Sequence, residues 1–179
     1  MREATLARRA VVLLGVGLGR AAAASPDRPS PLVRGTQTGL SLPRFASIKA
    51  SVANLRRGPG LRYPIDWVYH RPGLPVLVLR EFGDWRQLRM RDRTHGWMHR
   101  GLLSSQRTFL VTAVTVVLRA SPGTGTRAMA RLQHAVVGRL RRCAPDHAWC
   151  EVEAGGYRGY LRRADIWGSD ADARAGSAG

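Results

Sequence analysis

Two stretches of the 179-residue sequence match each other at a nearly constant offset. Most matched pairs are separated by 63 positions and the others by 64, and several pairs are identical residues. A constant offset over about fifty residues indicates two tandem copies of one structural unit. The pairs are Leu55 and Leu118, Arg56 and Arg119, Pro59 and Pro122, Gly60 and Gly123, Ile65 and Met129, Val68 and Leu132, Trp85 and Trp149, and Gly96-Trp97 and Gly159-Tyr160.

The first copy alternates turn signals with short apolar segments. Gly58-Pro59-Gly60 predicts a turn, because proline fixes φ and glycine permits positive φ. The run Val76-Leu77-Val78-Leu79 predicts a buried strand, and Gly83-Asp84 predicts a hairpin into the next strand, which begins at Trp85. A further turn lies before Gly96-Trp97-Met98. Several short strands at this spacing predict an all-β fold of small barrels.

The order N-x-R-x-G-P-G, then Y-P, then G-D-W, then G-W resembles the bacterial SH3 (SH3b) domain family over about sixty residues. In this sequence the motif begins at Asn54 and ends at Trp97. The second copy departs from it, since Val117 stands where the first copy has Asn54 and Ser121 where it has Gly58. The resemblance implies two tandem SH3-like barrels, the second of them divergent.

Composition and the repeat together divide the chain into five segments. We expect a signal peptide over 1–24, a disordered Pro-rich linker over 25–43 and a disordered tail over 168–179, with the barrels at 44–106 and 107–167. No linker separates the barrels, so we expect them to touch. The core of the first barrel is predicted to comprise Leu55, Ile65, Val68, Val76, Val78, Leu88, Trp97 and Leu102.

The chain has an excess of basic residues. It carries 29 Lys and Arg against 12 Asp and Glu, a formal net charge of +17, and Lys49 is the only lysine. Such a charge favours anionic partners, whereas a preference for arginine also follows from the base composition of a gene. A binder of nucleic acid or another anionic polymer is therefore the alternative function. The spread of the arginines along the chain and the predicted export argue against nucleic acid.

The two cysteines leave three interpretations open. Cys143 and Cys150 flank one predicted hairpin, and an exported chain with an even number of cysteines favours a disulfide. A Cys-His-Cys metal site with His147 places three ligands on one tight loop. A nucleophilic cysteine with His147 as its base lacks an oxyanion hole. A similar C…W-C pattern occurs in some bacterial SH3 domains, which supports the disulfide.

The resemblance implies a non-enzymatic binding module tied to the cell envelope, with peptidoglycan or a protein peptide as its partner. No catalytic set, metal spacing or nucleotide motif accompanies it, so we expect no cofactor. We expect Arg56 mainly to serve the fold, although it also suits an acidic ligand group, and the first barrel to bind more strongly than the second. The candidate ligand-binding residues are Arg56, Arg62, Tyr63, Trp67, Tyr69 and Trp85, with Arg71 nearby.

The N-terminus predicts export to the periplasm or the extracellular space. An apolar stretch runs from Ala10 to Gly19 and follows three arginines, Arg2, Arg8 and Arg9. The small residues that end at Ala24 provide a cleavage site typical of a secretory signal. No later apolar run is long enough for a membrane span. We predict that the protein isolated from its native host begins at Ser25, which mass spectrometry of the intact chain tests. A cytoplasmic chain that retains Met1 would contradict export.

Overall fold

The computed structural model describes residues 33–144 and 146–169, so the predicted signal peptide and most of the predicted tail lie outside the described residues. The prediction of an all-β fold is confirmed. The described chain forms sixteen strands and two 3-10 helices of three residues each, and none of its helices has the length and hydropathy of a membrane span.

The first barrel is a seven-stranded antiparallel sheet around one apolar core. Its strand order is β5-β4-β8-β7-β6-β3-β9, so β5 is the outermost strand at one edge. A 3-10 helix at Arg100–Leu102 precedes its last strand. The strands are β3 (Arg44–Ile48), β4 (Ala53–Arg56), β5 (Ile65–Tyr69), β6 (Pro75–Phe82), β7 (Trp85–Arg89), β8 (His95–His99) and β9 (Leu103–Ser104).

The second barrel repeats this arrangement. Its strand order is β12-β11-β15-β14-β13-β10-β16, which is the order of the first barrel strand for strand. The second 3-10 helix, at Arg163–Asp165, stands 63 positions after the first. The strands are β10 (Thr108–Val111), β11 (Thr115–Arg119), β12 (Ala128–Gln133), β13 (Val137–Arg142), β14 (Trp149–Ala154), β15 (Tyr157–Arg162) and β16 (Ile166–Trp167).

The predicted core of the first barrel is correct for its inner strands and wrong for its edge. Leu55, Val76, Val78 and Leu88 are fully buried, and Leu102 packs against them. Ile65 and Val68 are instead 44% and 45% exposed, because β5 has a neighbour on one side only. Trp97 is half-buried and lies outside the core cluster, since it alternates with buried Gly96 and Met98 and faces outward.

The glycine of the repeated G-W and G-Y pairs is required by a close crossing of two strands. A Cβ at Gly96 would lie 2.5 Å from Cγ of Leu55 and 3.0 Å from the carbonyl oxygen of Arg56. At Gly159 a Cβ would collide with the carbonyl oxygen of Arg119. The strand that carries this glycine therefore lies in close contact with the strand that carries Arg56 or Arg119, which explains why the glycine recurs in both copies.

The prediction of a disordered linker is wrong from Val33 onward. Strands β1 (Val33–Arg34) and β2 (Ser41–Leu42) form an antiparallel hairpin, and Leu42 belongs to the core of the first barrel. A Cβ at Gly35, where the hairpin begins its turn, would collide with the Glu81 carboxylate. The hairpin is thus seated on a side chain of β6 more than forty residues away along the chain.

Glu81 holds this hairpin with a carboxylate that is fully buried. Its Oε2 accepts hydrogen bonds from the backbone N–H groups of Gln37 and Thr38, both at 3.0 Å. Its Oε1 accepts from the Thr38 hydroxyl at 2.7 Å and from Arg44 at 2.8 Å, and Arg86 lies 3.5 Å away. Burial acts to raise the pKa of Glu81, but the hydrogen bonds from Thr38, Gln37 and Arg44 lower it below its ordinary value.

The two barrels touch, as the missing linker predicted. The ring of Phe45 on β3 meets the ring of Trp167 on β16 edge to face, with centroids 5.0 Å apart. Leu77 is fully buried beside them, and Leu79 packs against the same cluster. The Ser47 hydroxyl also donates to the carbonyl of Gln106 at 2.9 Å. Apolar contact therefore joins the first strand of one barrel to the last strand of the other, and the hydrogen bond joins the first strand to the segment that connects the barrels.

The predicted tail begins two residues too early. Gly168 and Ser169 are buried, and the carbonyl oxygen of Gly168 accepts a hydrogen bond from Arg107 at 3.1 Å. A Cβ at Gly168 would collide with the carbonyl of Thr108, so the chain leaves β16 in close contact with β10. The rest of the predicted tail lies outside the described residues.

We predict that Glu81→Gln lowers the free energy of unfolding by about 3 kcal/mol, because it leaves buried donors and two arginines without their carboxylate. Chemical denaturation measures this. Since folding lowers the pKa of Glu81, its contribution is fully present above the unfolded value near 4.5 and is lost as the pH falls through the folded pKa.

Glu153→Gln is the matched control, because Glu153 is partly exposed and lies 3.7 Å from Arg141. It should change stability by less than about 1 kcal/mol. Equal destabilisation by both variants at neutral pH, or a difference between wild type and Glu81→Gln that persists unchanged in acid, would contradict this role of Glu81.

Candidate functional site

Arg56 holds a loop of the first barrel in place. Its Nη1 donates to the carbonyl oxygens of Leu61 at 3.1 Å and Tyr63 at 2.8 Å, both in the loop between β4 and β5. Its repeat counterpart, Arg119, donates to the carbonyl of Thr126 at 2.6 Å in the equivalent loop. The arginine therefore satisfies backbone carbonyls in both copies, which accounts for its recurrence.

The ring of Tyr63 packs against the turn glycines. A Cβ at Gly58 would lie 2.5 Å from the ring, and one at Gly60 would lie 3.5 Å from it. The guanidinium of Arg62 lies 5.2 Å from the ring centroid, within the range of a cation–π contact. Tyr63 thus closes the Gly58-Pro59-Gly60 turn with a half-buried ring, while Arg62 is exposed above it.

Trp67 is the most exposed of the candidate aromatic residues, with 57% of its surface accessible. It lies on the outermost strand, β5, and its neighbours Ile65 and Val68 are also exposed. Leu61, in the loop before this strand, is 79% exposed. We call these four residues, Leu61, Ile65, Trp67 and Val68, the apolar edge of the first barrel.

Tyr69 and Trp85 are half-buried and contribute to packing within the barrel more than to the apolar edge. Tyr69 is half-buried against the core, and burial together with the charge of Asp92 raises the pKa of its hydroxyl. Trp85 is half-buried and meets the ring of His99 edge to face at 5.5 Å. Two strands separate β7 from β5 in the sheet, so Trp85 stands roughly 14 Å from Trp67 across the sheet.

Arg71 points toward the second barrel instead of toward the candidate residues. Its guanidinium donates to the carbonyl oxygen of Ala135, in the turn before β13. The structure therefore places Arg62 and Tyr63 in contact in the loop, holds that loop with Arg56, and places Trp67 on the edge strand that follows the loop. It places Arg71 at the contact between the barrels.

Sequence reasoning missed an open cleft on the second barrel. Trp149 is the repeat counterpart of Trp85, and the guanidinium of Arg162 lies 5.7 Å from its ring centroid, where the first barrel has His99. The cleft measures about 720 Å³, and Thr124 and Ile166 also line it. In the first barrel the equivalent place holds the Asp84–Arg100 ion pair at 2.6 Å, through which Arg100 lowers the pKa of Asp84.

It also missed a groove on the second barrel that is lined mainly by arginines. The groove has a volume of about 570 Å³. Its side chains come from three separate parts of the sequence, so the even spread of arginine along the chain concealed it. The alternation Arg139-Leu140-Arg141 on a predicted strand was the available signal, because it places both arginines on one face.

Cys143 and Cys150 form a disulfide, with their Cα atoms 4.4 Å apart. The bond closes the hairpin between β13 and β14 and consumes both thiols. The interpretations of the pair as metal ligands or as a nucleophile with His147 are therefore wrong. Among residues 33–144 and 146–169, no group of three or more His, Cys, Asp or Glu side chains is arranged to hold a metal ion.

A sequence model described as a bacterial SH3 domain matches residues 49–105 and again residues 112–168. The two matches correspond to the two barrels. The chain belongs to the bacterial SH3 domain family. Domains of this family are binding modules, and the tandem SH3-like prediction is confirmed.

Solved structures give weaker matches. NlpC2 and NlpC1 from Trichomonas vaginalis are 11% and 9% identical, cover 70% and 74% of this chain and 48% of their own chains, and superpose with a TM-score of 0.33. An NlpC/P60 family protein from Bacillus cereus ATCC 10987 is 17% identical, with coverage of 69% and 55% and a TM-score of 0.30. The chain thus spans about half the length of these proteins. No curated protein matches it.

We predict that Arg56→Gln lowers the free energy of unfolding by about 1 to 2 kcal/mol, because the loop carbonyls lose their donor. That is a fall in Tm of roughly 2 to 8 °C for a chain of this size, measurable by thermal unfolding. Arg62→Gln is the control, since the exposed guanidinium of Arg62 contacts the Tyr63 side chain, at 3.5 Å from its hydroxyl and 5.2 Å from its ring centroid, and donates to no loop carbonyl in the described residues. Unchanged stability of Arg56→Gln, with loss of ligand binding, would make Arg56 a ligand contact instead.

Proposed function

We propose that this chain is an exported, non-enzymatic binding module that recognises a component of the cell envelope, peptidoglycan or a protein peptide, through its first barrel. The observation that carries the proposal is the apolar edge. Four large apolar side chains are exposed along one strand and its adjoining loop, with Trp67 and Val68 on opposite faces of the strand. Exposed apolar residues gathered at one edge mark interaction sites.

Strand β5 offers two kinds of contact at this edge. Its outer side has no neighbouring strand in the described sheet, so an extended peptide can pair with its backbone. Trp67 supplies a ring on which an apolar group or the face of a sugar ring can stack. Asp66, the charged residue within β5, already pairs with Arg57 at 2.6 Å, so the strand itself selects for shape and apolar contact.

The second barrel lacks this surface. The register of β12 places Ala130 opposite Leu118, as Trp67 stands opposite Leu55 in the first barrel. Arg131 likewise takes the place of Val68, and Leu132 takes the place of Tyr69 and is buried in the core of its barrel. The apolar edge is thus a property of the first copy alone, which supports binding by that copy.

The disulfide supports export, because such bonds persist in oxidising compartments and are rare in the cytosol. A periplasmic or extracellular location fits the predicted signal peptide. The consumption of both thiols removes the one nucleophile that the sequence offered, which supports a function in binding without catalysis.

We predict that Trp67→Ala weakens binding to purified peptidoglycan, measured by co-sedimentation of the full chain, by about 30-fold or more. A tryptophan at the centre of an interface contributes about 2 kcal/mol or more, which sets this magnitude. Phe82→Ala is the matched control, because Phe82 is equally exposed in the same barrel but lies at the end of β6. It should bind as wild type does.

Two further variants, Trp85→Ala and Arg62→Ala, are measured together with Trp67→Ala and Phe82→Ala over a series of salt concentrations. Each is tested against purified peptidoglycan and against duplex nucleic acid. Binding by stacking and hydrogen bonding should survive moderate salt, whereas binding to nucleic acid should fall steeply. Salt-sensitive binding to nucleic acid alone, indifferent to Trp67, would overturn the proposal in favour of the anionic-polymer alternative.

A further inference from the structure

The groove on the second barrel gathers five arginines around one glutamate. The lining arginines are Arg107, Arg139, Arg141, Arg142 and Arg158, and the glutamate is Glu151. These six side chains carry a formal charge of +4, which becomes +3 when Glu153, the ion-pair partner of Arg141 at 3.7 Å, is included. We call this surface the basic groove. It is open and polar, and it lies on a different barrel from the apolar edge.

The register of the sheet creates this cluster. Arg139 and Arg141 flank the buried Leu140 on β13, so both face outward. The bulge between Leu140 and Arg142 brings Arg142 opposite Glu151 of β14. Arg158 of β15 stands opposite Glu153 of β14. Strands β13 and β15 therefore present arginine on the same outer surface, and β14 between them presents Glu151 and Glu153.

Some of these charges are held in place and others remain uncompensated. Nε of Arg158 donates to Oε1 of Glu151 at 2.6 Å, and Glu151 is only 14% exposed. Arg107 donates to the carbonyl of Gly168. Within residues 33–144 and 146–169, neither Arg139 nor Arg142 has a carboxylate within salt-bridge distance. The groove thus combines positioned guanidinium groups with unneutralised charge.

The equivalent face of the first barrel carries an apolar residue where the second barrel carries an arginine of the groove. Leu77 pairs with Arg89 as Arg139 pairs with Glu153, so Leu77 and Arg139 occupy the same place in the two sheets. Leu77 is buried in the cluster with Phe45 and Trp167, whereas Arg139 is exposed. The face that meets a neighbouring barrel in the first copy is therefore free in the second, where it carries charge in place of apolar contact.

We propose that the basic groove binds the phosphate groups of an anionic polymer that carries no bases. The planar fork of arginine matches the oxygens of a phosphate group and donates two hydrogen bonds to it. An open groove lined by several such groups suits a chain of phosphates better than one small ion. Among the described residues that line the groove there is no aromatic side chain, so they offer no ring on which bases can stack.

The test measures binding of labelled inorganic polyphosphate to the full chain by fluorescence polarisation over a series of salt concentrations. The double variant Arg139→Gln/Arg142→Gln should lower the affinity at low salt by about tenfold, and it should reduce the slope of log affinity against log salt by about two. Arg91→Gln/Arg127→Gln is the matched control, since it removes the same charge from exposed loops elsewhere and should leave the slope unchanged.

Further measurements distinguish recognition of phosphate from attraction by charge alone and from binding to nucleic acid. Polyglutamate of equal charge should bind more weakly than polyphosphate, and single-stranded DNA should bind no more tightly. Arg139→Lys/Arg142→Lys should keep the salt slope but not the full affinity, because lysine lacks the fork. Peptidoglycan binding should be unchanged in all of these variants, so a failure of the groove is distinguishable from a failure of the apolar edge.

Three results would overturn the proposal. They are equal losses in the groove and control variants, polyglutamate binding as tight as polyphosphate, and tighter binding to single-stranded DNA. Thermal unfolding of each variant checks the fold, and the single variants Arg139→Gln and Arg142→Gln replace the double variant where it unfolds. Each single variant should then reduce the slope by about one.

Discussion

The contact of Trp167 with Phe45 and Leu77 determines which surfaces of the two barrels are covered and which are exposed. An outward-facing leucine in a strand is ordinarily exposed, but here the last strand of the second barrel covers it completely. Burial of two aromatic rings and a leucine is favourable enough to keep the barrels together. This contact occupies one face of the first sheet, whereas the edge at β5 and the outer face of β13 to β15 lie outside it.

The two copies share the residues that backbone geometry constrains and differ in the side chains that face solvent. Both retain the arginine that satisfies a loop, the leucine beside it and the glycine that lets one strand pack on that leucine. Those residues are constrained by backbone geometry, so the same solution appears twice. The side chains that face solvent have no such constraint, and one copy exposes apolar residues where the other exposes arginine. A duplicated fold thereby presents two chemically distinct surfaces.

Sequence reasoning succeeded where the determinants are local and failed where they are distant. Turn residues and short apolar runs located strands such as Val76–Leu79, and the repeat gave the number of barrels. Ile65 and Val68 were assigned to the core because apolar character does not reveal that a strand lies at an edge. The segment from Val33 was assigned to a linker because its composition shows no core, whereas its partner, Glu81, is far along the chain. The arginines of the groove converge only through strand register.

Phe45 lies on the strand that begins the first barrel, and Trp167 lies on the strand that ends the second. The polypeptide therefore enters and leaves the pair of barrels at neighbouring points, as a large closed loop does. The start of the first barrel and the end of the second are kept near each other instead of being separated by the length of two domains. A unit whose ends lie close together can be inserted into a longer chain. It then adds binding surface without increasing the distance between the segments on either side of it.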